Sequence, residues 1–395
     1  MAESMNNRAA YNPYSRLPVN EQAMFFGRTR ESEQILGWLR AGAGNIWLLG
    51  QKRVGKTSLL FHLKHHFLPE WGYVAAFVDF QLLGNLASGN LCYEIAAAIF
   101  ADLQGDPLLG ESGAPLFAPL RTLFDLQPAV ELIAYLRAVN SHIQGAGRRT
   151  RLVILLDEFS RTTDAYLQGK IDRSFFELWR GVMQATAPEI SYITVVQQQT
   201  YNTVSRRAGQ NLDDPSWHIM ELGEKLVLRP LDQEAVCRLI EWPMRNFVEF
   251  GPESVAAVAA LTGGNPFLIQ AFCFKLAAHM ADQDRRRVER ADIEAVRMEF
   301  MQPTESVFAH FLDMLRGIGN QVCQTVATLA EGQAAEAQPR VTWAQIAAAQ
   351  PGLPEPALRR ALQELATCDI LIEVAPDAWT FSSRLFQQWL ALNAE

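Results

Sequence analysis

Gly50-Gln51-Lys52-Arg53-Val54-Gly55-Lys56-Thr57 matches, without a mismatch, the spacing of a glycine, four residues and Gly-Lys-Ser/Thr. Chance alone produces that pattern in about one chain of this length per hundred. Here it follows an apolar run, Asn45 to Leu49, and precedes a helical pattern that begins at Thr57, which is the strand, turn and helix context the spacing requires. Glycines at 50 and 55 let the backbone curl so that the amides of Gln51, Lys52, Arg53, Val54, Lys56, Thr57 and Ser58 surround an anion at a helix N-terminus. Lys56 is placed to neutralise the β and γ phosphates of a nucleotide, and the Thr57 hydroxyl to ligate magnesium. ATP and Mg2+ are therefore the expected cofactors.

A second strand pattern, Leu152-Val153-Ile154-Leu155-Leu156, ends in Asp157-Glu158. Ligands of open α/β sheets bind at the C-terminal ends of strands, where this pair lies. Asp157 is expected to hold the magnesium shell. Glu158, one residue on, is expected to polarise the water that attacks the γ-phosphate.

Outward from these two motifs, short apolar runs alternate with helical ones. Strands are expected at Tyr73 to Phe80, Ile190 to Val196 and Lys225 to Leu228, besides the two above, with helices from Thr29 to Leu39, from about Asn90, up to Ser141, and from Phe175 to Met183. Buried parallel strands read as continuous apolar runs, so the fold class is α/β with a mostly parallel sheet covered on both faces, a P-loop NTPase sheet. The Gly/Pro-rich stretch 105–128 is expected to be a surface insertion. Past Arg229-Pro230 strands almost vanish, which predicts a small helical domain. From Pro303 onward come helices at Gln321 to Ala330, Thr342 to Ala349 and Glu355 to Thr367. A hairpin of Ile370 to Val374 and Trp379 to Phe381 follows, with Ser382 or Ser383 opening a last helix: the order of a winged helix. The expected domains are thus an extended N-terminal arm (1–24), an ATPase core (25–229), a lid (230–302) and a winged-helix domain (303–395).

Of the 395 residues, 49% are hydrophobic and 20% charged, which excludes wholesale disorder. Thirty-five basic against 43 acidic residues leave a net charge of −8, so no global field draws the chain to nucleic acid or anionic lipid. The five cysteines are widely spaced and form no CxxC pair, which suggests neither a disulfide framework nor a zinc knuckle. With no apolar leader and no membrane-spanning run, the expectation is a soluble cytoplasmic protein.

These motifs resemble those of the AAA+ ATPases, in the branch that joins the STAND signal-transduction ATPases to the archaeal origin-recognition ATPases. Phe25-Phe26-Gly27-Arg28 followed by Glu31 resembles the entry motif of that group, which implies that Phe26 and Gly27 line the adenine and that Arg28 braces the site. Leu228-Arg229-Pro230-Leu231 resembles its junction from core to lid. Leu261-Thr262-Gly263-Gly264-Asn265-Pro266-Phe267-Leu268-Ile269-Gln270 resembles the STAND lid signature, which implies that Pro266 opens a helix closing over the nucleotide. The resemblance further implies a polar γ-phosphate sensor, Gln197, after the fourth strand, and an arginine finger at Arg206 or Arg207. One departure is that the first basic residue of the lid helix is Lys275, later than the sensor arginine of motor members, which favours a switch.

From Pro303 to Glu395 there are five basic and ten acidic residues. Phosphate contacts dominate DNA affinity, so this balance disfavours DNA as a partner and favours protein contacts. The leading expectation is an ATP-dependent homo-oligomeric switch that signals to a separate sensor or effector protein, in prokaryotic defence or stress response. The alternative is a DNA-handling ATPase resembling archaeal replication initiators or transposon target-selection ATPases.

Overall fold

The computed structural model describes residues 12–83, 88–104, 116–145, 151–209, 213–302, 306–308, 311, 317–333 and 339–393. The chain forms two compact units. One, the α/β unit, comprises residues 20–50 and 56–228; the other, the helical unit, comprises residues 1–19, 51–55 and 229–395.

The α/β unit is built on five strands: β1 (Asn45–Gly50), β2 (Val74–Asp79), β3 (Leu152–Asp157), β4 (Ser191–Gln197) and β5 (Glu224–Leu228). All pair in parallel, in the order β2-β3-β4-β1-β5. Every residue of β1 and β3 is buried, as two-sided coverage demands of Asn-Ile-Trp-Leu-Leu-Gly and Leu-Val-Ile-Leu-Leu-Asp. Helices Ser88–Leu103, Pro128–Gly145 and Ser174–Thr186 pack side by side. Below them lies an aromatic core in which Phe159 meets Trp47, Phe80 and Phe175, and Trp179 meets Tyr192 edge-on.

The described end of the stretch expected to be a surface insertion is anchored in the core. Residues 105–115 lie outside the described residues, but Arg121–Phe124 forms a helical turn whose Phe124 is buried against Tyr93, and a long helix already begins at Pro128. Phe124 anchors this segment to the core.

In the helical unit, helices Gln233–Glu241, Pro252–Thr262, Pro266–Asp282 and Arg290–Phe300 pack together. The arm expected to be extended is tied down by side chains: Asn12 Nδ2 donates to the Phe274 carbonyl at 2.8 Å, and the buried Tyr14 donates its hydroxyl to the Ile240 carbonyl. Further on come Ile318–Glu331, Trp343–Ala349 and Glu355–Thr367, strands β6 (Val341–Thr342), β7 (Leu371–Ala375) and β8 (Ala378–Phe381), and the helix Arg384–Leu392. The expected two-stranded hairpin is in fact a three-stranded antiparallel sheet, β6-β8-β7. Two residues of β6 were too few to read as a strand, and Thr342, expected to open the helix, is instead its N-cap. Ser383, not Ser382, caps the last helix.

Among the described residues no helix is long and apolar enough to cross a membrane. The five cysteines are all free thiols, and four of them are buried.

Candidate functional site

Three strand ends of the α/β unit bring chemistry together. Because β4 lies between β1 and β3, its last residue, Gln197, pairs in register with Gly50 on one side, while Ser191 to Thr194 earlier in the same strand pair on the other with β3, which ends in Asp157. Lys56 is buried, and its Nζ donates to the Gly50 carbonyl at 3.1 Å. Thr57 donates its hydroxyl to Asp157 Oδ2 at 2.7 Å. A residue at the start of one helix and another at the end of β3, a hundred positions apart in sequence, thus converge on one point.

Asp157 is 3% exposed, and burial pushes its carboxyl up to about 6, helped by the neighbouring charge of Glu158 and opposed by the Thr57 hydrogen bond. The oxygen pair Thr57 Oγ1 and Asp157 is the hard donor chemistry that magnesium takes, and a divalent cation would supply the positive charge this buried carboxylate needs. Among the described residues no group of three or more His, Cys, Asp or Glu side chains is placed to hold a metal by itself, in keeping with a cation completed by phosphate and water.

Glu158 has φ 51°, the left-handed region, so the chain turns sharply after β3. Its carboxylate accepts from Gln197 Nε2 at 3.2 Å, and the Gln197 backbone amide donates to Ser160 Oγ at 2.7 Å. The two residues assigned from sequence as base and sensor are therefore in direct contact. Asp79, at the end of β2 and in register with Asp157, is a third carboxylate here that the sequence reading missed. Burial raises its pKa, with the charge of Glu158 adding to the effect and Arg161 opposing it. The signal was present, since Asp79 ends a strand as Asp157 does, but a lone Asp closing a strand carries little weight without the register.

The entry motif Phe25-Phe26-Gly27-Arg28 also belongs to the α/β unit. Phe26 is buried, Gly27 takes φ 73°, and Arg28 is 4% exposed with its guanidinium 2.9 Å from Glu31. Phe25 stacks face to face on His62, ring centroids 4.1 Å apart, at the end of the helix that begins with Lys56. Burial, and next the charge of His66, lower the His62 pKa to about 4. This ring pair was also missed: Phe25 opens the entry motif, but no sequence motif links it to His62, 37 positions on.

Residues 51–55 of the loop make their contacts within the helical unit. Arg53 holds φ 65°, unusual for a non-glycine residue, and places its guanidinium 4.0 Å from the centroid of the Phe267 ring. A Cβ built on Gly55 would lie 3.7 Å from Pro266 Cγ. Asn265 caps this helix, its Oδ1 accepting from the amides of Phe267 and Leu268, with Pro266 in the first turn where it loses no hydrogen bond. The Asn-Pro-Phe turn and the outer part of the glycine loop are thus in contact.

Arg207 stands apart from these groups in its visible contact. Its Nε is 3.4 Å from Asp214, the buried N-cap of helix Pro215–Met220. Lys275 pairs with Glu299 at 3.2 Å.

Strand order β2-β3-β4-β1-β5, a glycine loop after β1 and an acidic pair after β3 define the P-loop ATPase fold of the AAA+ type. No protein-family model matches the sequence, and no curated protein matches it. Solved structures do. The Walker-type ATPase Paby2304 of Pyrococcus abyssi superposes with a TM-score of 0.66 at 15% identity, covering 96% of this chain and 99% of that one. The ORC2 protein of Aeropyrum pernix, in ADPNP-ADP complexes, gives a TM-score of 0.54 at 13% identity, covering 93% of this chain and 95% of that one. At such identities the likeness establishes the shared fold.

Proposed function

We propose that this chain binds ATP with magnesium, hydrolyses it slowly, and works as a nucleotide-dependent switch. The observation that carries the reading is the convergence of Thr57 and Asp157 at 2.7 Å beside a buried Lys56, one hydroxyl and one carboxylate that would hold a magnesium ion. The amides of Gly50 to Ser58 cradle the phosphates, with Lys56 neutralising their charge. Phe26, Gly27 and Arg28 flank the base, and Pro266 closes on the loop. Magnesium, when bound, draws charge from the γ-phosphate; Thr57 and Asp157 hold it. Glu158 accepts the proton of the attacking water, and Gln197 orients that water or the γ-phosphate. The ADPNP-ADP complexes of the Aeropyrum pernix protein support a nucleotide site on this fold.

On this reading residues 25–229 are the ATPase core, 230–302 the lid and 303–395 a winged helix, and ATP-bound copies assemble and signal to a separate protein in a defence or stress response. Arg207 or Arg206 would reach a neighbouring copy as the finger. The rival is a DNA-handling ATPase, which the likeness to an origin-recognition protein supports. Charge tells against it. Arg359, one of two cations on helix Glu355–Thr367, is held by Glu355 at 2.8 Å and Asp377 at 3.0 Å and stacks on Trp343. The deciding test is mass-resolved sizing of Glu158→Gln with ATP and magnesium, with and without duplex DNA. Defined oligomers that ignore DNA support the switch. Assembly only with DNA, lost on adding salt, overturns it in favour of the rival.

A further inference from the structure

Within the glycine loop one non-glycine residue takes the left-handed region: Arg53, with φ at 65°. An L side chain is disfavoured there, which is why glycine is the usual occupant, as at Gly55 with φ 97°. The shape has a use in a loop of this kind. Alternating right- and left-handed residues turn successive amides to one side, forming a concave nest for an anion. What an arginine adds at such a position is a hold through its side chain. The Arg53 guanidinium lies 4.0 Å from the centroid of the ring of Phe267, the second residue of helix Pro266–Asp282. That ring is itself fixed, since Phe267 is buried and its amide donates to Asn265 Oδ1 at 3.0 Å. Pro266 makes the neighbouring contact, with its Cγ 3.7 Å from a Cβ built on Gly55. Consecutive residues of one helix therefore touch the loop on both sides of Val54, which is buried. Electrostatics works against the stack. Burial, and next the charge of Arg16, lower the Arg53 pKa, so the guanidinium stands partly out of water near a second cation. An arginine that served only solubility would keep an ordinary backbone and turn to solvent.

We propose that Arg53 is a positioning residue for the phosphates: its stack on Phe267 holds the loop backbone in the left-handed turn that aims the amides inward, and so makes nucleotide retention depend on the helix Pro266–Asp282. This rests on the reading of the loop as an ATP site and adds to it the means by which that helix acts. With the guanidinium engaged on the ring, the residue works through its backbone and not through its charge. A cation over an aromatic face is worth most where water is excluded, and here it offsets the cost of left-handed backbone at the same residue. Without the ring, Arg53 would relax toward a commoner region and the nest would lose its shape. Glycine at this position would keep the turn at no steric cost but would feel nothing of the helix. An arginine gives instead a loop whose shape depends on where Phe267 is.

The test is release of ADP carrying a fluorescent N-methylanthraniloyl group, with magnesium, from the full chain, followed by stopped flow after addition of excess unlabelled ADP. Arg53→Ala, which removes the stack and keeps the left-handed penalty, is expected to speed release about tenfold. Arg53→Gly removes the stack and the penalty together, so release is expected to quicken by about threefold at most. Phe267→Leu is expected to speed release about tenfold with Arg53 in place, and by less than about twofold in the Arg53→Gly protein, where the ring has nothing left to hold. Phe267→Tyr keeps the aromatic face and is expected to restore slow release. Where loss of the buried ring unfolds the helix, the contrast between Arg53→Ala and Arg53→Gly still decides, because neither alters Phe267. Equal rates for Arg53→Ala and Arg53→Gly, whether fast or unchanged, would overturn the proposal. So would a Phe267→Leu effect that persists undiminished in Arg53→Gly, since the ring would then act by another route. A wild type that binds no labelled nucleotide overturns the ATP reading together with this one, whereas binding with equal rates for the two Arg53 variants overturns this one alone.

Discussion

Glu158 sits in the left-handed region with its carboxylate on Gln197, and Thr57 reaches Asp157 directly. Each contact assigns a separate consequence to a separate side chain. Lys56→Ala is expected to abolish binding of a fluorescent ATP analogue, since it removes the ammonium held on the Gly50 carbonyl at the start of the loop. Glu158→Gln should keep that binding and lower the hydrolysis rate about 10²–10⁴-fold, the usual contribution of a general base; turnover at the wild-type rate would remove Glu158 from the role. His62 gives a prediction in pH. Its pKa falls from 6.5 to about 4 because its stacked ring is kept from water and faces His66. The unfolded chain therefore takes up a proton near pH 6.5 while the folded chain resists until about pH 4. Stability from this group is intact above pH 6.5 and is lost progressively as the pH falls toward 4. His62→Phe, which keeps the stack on Phe25 and removes the proton, is expected to flatten the slope of urea-unfolding stability across that window.

Strands were the most legible elements. Each of the five parallel strands falls within a residue of its place in the sequence pattern, most clearly where burial on both faces keeps the run apolar, as in Leu152 to Leu156. The glycine loop and Asp157-Glu158 were legible for the same reason: their positions are fixed to strand ends. The sequence pattern left less trace of what depends on pairing across distance. Asp79 becomes a site residue only through its register with Asp157, and Arg53 on Phe267 joins residues more than two hundred positions apart. The Gly263-Gly264 turn read as a helix break, which it is, but its reason lies in packing: at Gly263 a Cβ would stand 1.9 Å from the Ser382 carbonyl oxygen, with φ at 62°. Gly263→Ala should therefore cost about 3 kcal/mol or more, from overpacking against backbone together with left-handed strain. Gly251→Ala, with φ −77° and nothing within 4 Å of the new Cβ, should stay within about 1 kcal/mol of wild type. Thermal or urea unfolding of the pair checks the contrast, and equal losses would show that the turn tolerates a side chain.

At the scale of the whole chain, electrostatics separates the two functional readings. A net charge of −8, with ten acidic against five basic residues from Pro303 onward, gives no broad field toward a polyanion. The cations present in that segment are also partly spent internally. Arg359 is held between Glu355 and Asp377, so its release to a phosphate would break two ion pairs and a stack on Trp343. Affinity for DNA that came from such a surface would have to arise from few phosphate contacts, and the slope of log affinity against log salt measures their number, at about −0.9 per contact on a duplex. The expected outcome for the wild type with ATP and magnesium is no fluorescence-anisotropy change with a labelled duplex at about 0.15 M salt, and a slope no steeper than about −2 for any binding seen at low salt. Six or more contacts would give a slope steeper than about −5. Such a slope would mean that the acidic C-terminal segment is not the binding surface and that cations elsewhere carry DNA. Arg359→Ala then separates the sources: it leaves that slope unchanged if the helix Glu355–Thr367 faces protein, and lowers it by about one unit if that helix reads a phosphate.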